Sequence, residues 1–245
     1  MTAIYSGATD STVAVLDLVF PRHCAGCARA VDRPRGHICW DCFRTIELRE
    51  SSLCRLCGLL IEGRSTHEFD CSACQEHPPA FDRARSAGRF GGVLREILHQ
   101  FKYGGATWLR QDLADLLHGC VLARYAAEEV DLVLPVPLHR QKQRDRGYNQ
   151  AALLAAALAP RLGRPYAGDV LARTRATPTQ TRLHADQRRR NVRGVFAVLA
   201  PEWVRGRTVL LVDDVMTTGA TLSEAAATLK RAGAWRIWTV TVARG

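Results

Sequence analysis

No apolar run in this 245-residue chain approaches the length needed to span a bilayer; the longest are of strand or helix length. The stretch MTAIYSGATDSTVAVLDLVF lacks the basic start and small-residue cleavage site of a secretory signal. These two absences predict a cytoplasmic protein with no membrane insertion. In that compartment nine cysteines are not expected to pair as disulfides. No low-complexity segment stands out, and net charge is scarce along most of the chain. The formal charge is +10, and two short segments carry nearly all of it. Arg140, Lys142, Arg144 and Arg146 stand against Asp145, and seven arginines between Arg173 and Arg193 stand against Asp186. A basic excess focused in this way points to phosphates, pyrophosphate or nucleic acid, the plainer alternative being a solvated surface.

The cysteines are as concentrated as the charge. Eight lie in four C-x-x-C pairs: Cys24/Cys27, Cys39/Cys42, Cys54/Cys57 and Cys71/Cys74. Each C-x-x-C bend turns two thiolates to one side, and two bends complete a tetrahedron around zinc. A segment this short has too little apolar core to fold alone, so two structural zinc ions would supply its folding energy. Redox dithiols are the alternative, but such motifs usually occur singly. Spacing leaves open whether the pairs combine in sequence or crosswise. It also leaves open a ligand role for His23, His37, His67 or His77, although four complete pairs need none. Cys120, in an apolar helical pattern, reads as a small core residue. No large basic run lies between residues 24 and 77, which disfavours nucleic-acid contact through this region.

Beyond PAFDRARSAGRF (79 to 90), which reads as a hinge, helical and strand patterns alternate. GGVLREILHQFKYGG, WLRQDLADLLHGCVLARYAAE and NQAALLAAALAPRLG read as helices, and DLVLPVP, TVLLVDD and RIWTVTVAR as strands. The predicted fold is an α/β domain with a parallel sheet flanked by helices, residues 81–245, after a small cysteine-rich domain, residues 1–80.

LLVDDVMTTGATL, residues 210–222, carries the sharpest signal. An unbroken aliphatic run from Val209 to Val212 predicts a buried parallel strand, and an amphipathic helix stopped by Gly233 follows Thr221. Ligands of open α/β sheets bind at the carboxyl ends of strands, where this loop sits. Free N–H groups at the helix start, Gly219 and the threonine hydroxyls suit an anion. Asp213 and Asp214 would repel that anion and instead suit sugar hydroxyls or magnesium beside it. The basic segment PVPLHRQKQRDRGYNQ also leaves a strand end, so its cationic loop can hold a second phosphate group. RTRATPTQTRLHADQRRRNVRGVF is long and polar, as active-site lids often are. Alternatively Arg188, Arg189 and Arg190 form a nucleic-acid patch, with Tyr148 and Trp203 as weak candidates for base stacking. His139 and His184 read as incidental.

VLLVDDVMTTGATL resembles the phosphoribosyl-pyrophosphate (PRPP) signature of type I phosphoribosyltransferases. Together with the four cysteine pairs, FKYGG, LPVPLHRQKQRDRGYNQA and RRRNVRGVF, the chain resembles the ComF family from about Leu18 to Ala243. The resemblance implies a double zinc ribbon followed by a type I phosphoribosyltransferase-like sheet. It implies that Asp213 and Asp214 meet the ribose hydroxyls and magnesium. Thr217, Thr218, Gly219, Ala220 and Thr221 would cradle the 5-phosphate of PRPP. Arg140, Lys142 and Arg146 would lie near the pyrophosphate, and Arg190 and Asn191 on a lid. Purine-salvage relatives carry an aspartate where this chain has Thr217, which argues against that activity. Thr2 is no exposed cysteine, so no N-terminal glutaminase nucleophile is expected. The family's link to DNA uptake implies single-stranded DNA and uptake proteins as partners. Two functions follow: transfer of phosphoribose to an unidentified acceptor, or non-catalytic binding of PRPP, a nucleotide or single-stranded DNA.

Overall fold

The computed structural model describes residues 22–31, 36–46, 53–60, 69–176 and 185–245. In chain order the elements are α1 (Trp40–Thr45), α2 (Ser72–Glu76), β1 (Arg83–Arg89), α3 (Gly92–Tyr103), α4 (Arg110–Arg124), β2 (Leu132–Pro135), α5 (Arg140–Arg146), α6 (Gln150–Arg161), β3 (Leu171–Arg173), α7 (Ala185–Val192), β4 (Phe196–Val198), β5 (Thr208–Met216), α8 (Ala220–Arg231) and β6 (Arg236–Arg244).

Strands β1, β6, β5 and β2 pair in that order, all parallel. A parallel sheet covered on both faces needs apolar side chains pointing both ways, as the unbroken burial of Thr208 to Val212 shows. Leu210 and Val212 face one layer, where they meet Leu98 of α3, Leu117 of α4 and Leu154 and Leu158 of α6. Val209 and Leu211 face the other, with Leu222, Ala225 and Leu229 of α8. Strands β3 and β4 form a separate antiparallel pair.

Four local expectations are corrected. The stretch expected to be a hinge forms β1, because its alternation of Ala84, Ser86 and Gly88 lets it lie flat beside β6. The cationic loop after β2 is a short helix, α5, capped by His139 Nδ1 (3.3 Å from Gln141 N) and closed by Gly147 at φ +85°. β5 runs on past the aspartates to Met216, so the turn before α8 is only Thr217 to Gly219. The long basic connection is pinched at its base, where Thr174 N donates to Val195 O (2.9 Å), and its far half is α7. His67, Arg182 and His184 lie outside the described residues, as do the side chains of Arg188 and Arg189.

The two cysteine-rich units dock on different layers. In the first, Ala25, Ile38 and Ile46 join the core of α3 and α4. Gln100 Nε2 donates to Ala25 O (2.8 Å), and the buried Asp112 carboxylate accepts His37 N–H through both oxygens (3.0 and 3.1 Å). The second unit caps the sheet edge: Ala84 N of β1 donates to Leu56 O (2.7 Å), and Arg85 Nη1 donates to Arg55 O (3.2 Å). An open parallel edge is a pairing hazard, and this unit covers it. Gly58 permits the approach, for a Cβ there would lie 2.6 Å from Ala84 O, at φ +65°.

Gly58→Ala is therefore expected to cost about 3 kcal/mol of stability, left-handed strain and overpacking together. Gly147→Ala, also at positive φ but facing open space, is expected to cost about 1 kcal/mol. Denaturant melts of both variants check this; equal losses would remove the contact with β1 from the explanation.

Candidate functional site

The four pairs of cysteines combine in sequence. Cys24, Cys27, Cys39 and Cys42 form one group, and Cys54, Cys57, Cys71 and Cys74 the other, each with its sulfurs within 4.8 Å of one another. Zn–S bonds of about 2.3 Å give a tetrahedron with edges of about 3.8 Å. Cys27 Sγ to Cys39 Sγ and Cys57 Sγ to Cys71 Sγ are both 3.7 Å. Backbone N–H groups point at the sulfurs, as thiolates require: Cys39 N lies 3.3 Å from Cys24 Sγ and Cys71 N 3.4 Å from Cys54 Sγ. The residues thus fit two zinc ions with no histidine ligand. Cys120 is buried in α4, apart from both groups.

The second constellation sits at the carboxyl end of β5. Side chains alternate across a strand, so Asp214 shares the face of Leu210 and Val212, and Asp213 that of Val209 and Leu211. Asp214 is 8% exposed, and its Oδ2 lies 2.9 Å from Lys102 Nζ in the last turn of α3. Asp213 Oδ1 accepts the N–H of Asp214 (2.8 Å), and Asp214 Oδ1 that of Val215 (2.6 Å). Burial and the adjacent Asp214 carboxylate push Asp213 up to about 8, against the pull of Lys102. Arg173 of β3 is held below the usual arginine range by its own burial, and the Asp213 carboxylate opposes that shift. Burial, then Arg173 and Arg146, lower Lys142. Three cations from α5 and β3 therefore share the field around the two aspartates. Arg146 also lies over the Tyr103 ring, 5.2 Å from its centroid.

On α5 the positions four apart, Lys142 and Arg146, make the half-buried face, while Arg140 and Arg144 are exposed. The structure brings the first two together and leaves Arg140 outward. Beyond β5, Thr217 and Thr218 are exposed, and Gly219 turns at φ +77° into the twelve-residue α8. Gly219 supplies no side-chain cap, so the first N–H groups of α8 face outward with the positive end of its dipole. Asp213, Val215 and residues 216–222 line a cleft of about 50 Å³, the size of a small group and not of a whole ligand. Thr221 is half-buried on the first turn. α7 packs on α8 through the buried Val192, with Arg190 exposed and Asn191 half-buried. Tyr148 donates its hydroxyl to Phe101 O (2.5 Å), which fixes it as a strut, and Trp203 lies beside Arg207.

Lys102 and Arg173 belong to this constellation and were not among the sequence candidates. Lys102 lies within FKYGG, but a lysine closing an amphipathic helix reads as solvated. Only the packing of α3 on the sheet aims it at Asp214.

Residues 148–245 match the phosphoribosyl transferase domain family and residues 15–77 the double zinc ribbon domain family. Fold and sulfur geometry thus define an α/β domain of phosphoribosyltransferase type behind a double zinc ribbon. DNA utilization protein YhgH of Salmonella typhimurium is 34% identical over 89% of this chain and 94% of its own length. Competence protein F of Haemophilus influenzae is 30% identical over 87% and 93%. The chain belongs to the ComF family. Among solved structures, glutamine PRPP amidotransferase from B. subtilis, complexed with ADP and GMP, shares 20% identity over 58% of this chain and 30% of that one. Its TM-score of 0.40 is too low to carry an argument. Among the described residues no helix is long and apolar enough to cross a membrane.

The raised Asp213 has a consequence for stability. Between the ordinary carboxylate range and about 8 the folded protein holds a proton that the unfolded chain releases, so stability falls as pH rises through that window. In magnesium-free buffer, Asp213→Asn should melt close to wild type near pH 4.5 and a few degrees above it near pH 9. A gap that is constant with pH would refute the raised carboxyl.

Proposed function

We propose that this protein binds PRPP with magnesium and presents it for transfer of the phosphoribosyl group to an acceptor nitrogen. The observation that supports this best is the paired Asp213 and Asp214, followed within three residues by an open helix N-terminus and faced by Lys142, Arg146 and Arg173. One end of that layout suits a monoester phosphate, the middle a diol and the far side a polyanion.

In this reading Thr217, Thr218, Gly219, Ala220 and Thr221 hold the 5-phosphate through backbone N–H groups and hydroxyls. Asp213 and Asp214 accept the ribose hydroxyls, and Lys102 keeps the Asp214 carboxylate ionised and oriented. When the bond from ribose C1 to pyrophosphate breaks, positive charge grows on the sugar and negative charge on the leaving group. Lys142, Arg146 and Arg173 meet the leaving group in a half-buried site, where charge is weakly screened. Arg190 and Asn191 of α7 would close over it, and Arg140 lies far enough outward to act only on approach. Magnesium, when bound, would neutralise pyrophosphate beside the aspartates. The functional division falls between residues 80 and 81, and the protein works in the cytoplasm.

A second reading has its own observation. Arg140, Arg144 and Arg190 are exposed and free to track a phosphate backbone, and the relatives carry DNA utilization and competence in their names. Single-stranded DNA, with DNA-uptake proteins as partners, is then the ligand of the outer face.

Calorimetric titration of the zinc-loaded protein with PRPP and magnesium, followed by pyrophosphate release with candidate acceptors, tests the first reading. Binding is expected, lost in Asp213→Asn plus Asp214→Asn and weakened roughly tenfold or more in Lys102→Ala, as for loss of a charged hydrogen bond. Single-stranded DNA binding should survive the double substitution and fall steeply with salt. Absence of PRPP binding by the wild-type protein would overturn the first reading.

A further inference from the structure

We propose that Arg244 is a positioning residue that ties the second zinc centre to the phosphate turn, so that zinc there orders the turn. This rests on the PRPP reading only for its functional consequence. Arg244 ends β6 and sends its Nη2 to within 3.5 Å of Cys57 Sγ, while its Nε and Nη1 are buried without a hydrogen-bond partner. A buried guanidinium with two idle N–H groups is costly unless a nearby negative charge compensates it. Four thiolates around one divalent ion leave two net negative charges, and the Cys54, Cys57, Cys71 and Cys74 group places them beside Arg244.

From Arg244 the path to the turn is short. Its Cα partners in the sheet are Met216 of β5 and Arg89 of β1. The next residue, Gly245, donates its N–H to Met216 O (2.9 Å), extending the ladder to the residue before Thr217. Met216 in turn packs beside Gly219, its Sδ 3.5 Å from where a Cβ of that residue would lie. Elsewhere a cavity of about 330 Å³, bounded by Cys57, Cys71, Thr218, Gly219, Glu224 and Arg244, parts the ribbon from the turn. Close packing does not bridge that gap. Arg244 does, together with Phe81, which touches the Gly219 position from below. The first zinc centre lies on the opposite layer and has no such link.

The test is hydrogen exchange by mass spectrometry on the zinc-loaded full chain, with zinc release to a chelator measured in parallel. Arg244→Met is expected to retain two zinc ions and to exchange roughly tenfold faster in residues 216–222, with one zinc ion released roughly tenfold faster. Residues 92–124, against which the first ribbon packs, should exchange as in wild type. Arg244→Lys, which keeps the charge, should restore most of the protection. If Arg244→Met does not fold, Arg244→Gln carries the same expectation. Unchanged exchange in 216–222, or an equal rise in 92–124, would overturn the coupling. PRPP affinity, read on the same variants, should fall with protection of the turn. Failure of the wild-type protein to bind PRPP would sink the proposed function and leave the exchange result standing.

Discussion

Strand β5 is clamped between β2 and β6 by parallel backbone hydrogen bonds and by side chains buried on both faces, and the site depends on that clamp. A strand so enclosed has no freedom to slip, because a shift of one residue would carry every side chain to the wrong layer. Its last residues therefore emerge at a fixed height and in a fixed orientation. Asp214 falls on the layer of α3 and meets Lys102; Asp213 falls on the other and meets the field of Arg173. Two carboxylates adjacent in sequence thus have different partners, which is what makes their environments unequal. The turn that follows is short because the strand runs to Met216, and Gly219 is the residue that lets it close into α8.

The zinc ribbons belong to the same construction. Neither is large enough for an apolar core of its own, so metal supplies the local order and the sheet supplies the surface. The first ribbon extends the layer of α3 and α4 through Ile38 and Asp112. The second covers the exposed edge of β1, with Gly58 pressed against Ala84 O, and reaches the carboxyl end of the sheet through Cys57 and Arg244. Because α3 carries both the first ribbon's contacts and Lys102, and β6 carries Arg244, each ribbon leans on an element that also serves the aspartate site. A zinc-binding segment separate in sequence is in this way continuous with the chemistry in space.

Composition and spacing alone determined the zinc chemistry, the alternation of strands and helices, and the anion-seeking turn after β5. These are local properties: a C-x-x-C bend, an unbroken aliphatic run and a glycine before a helix each act within a few residues. The sequence also concentrated cations in two segments, which is a statement about charge and needs no fold. Tertiary structure decided the rest. It paired the cysteines in sequence, because sulfurs within 4.8 Å of one another are a matter of chain path. It made an edge strand of residues 83–89, where low apolar content disguised a position next to β6. It sorted Lys142 and Arg146 from Arg140 by the face of a seven-residue helix. It also recruited Lys102, Arg173 and Arg244, whose partners lie between about 40 and 190 residues away along the chain. No window of sequence holds both members of such a pair, since burial between packed layers creates the contact and low dielectric gives it its strength.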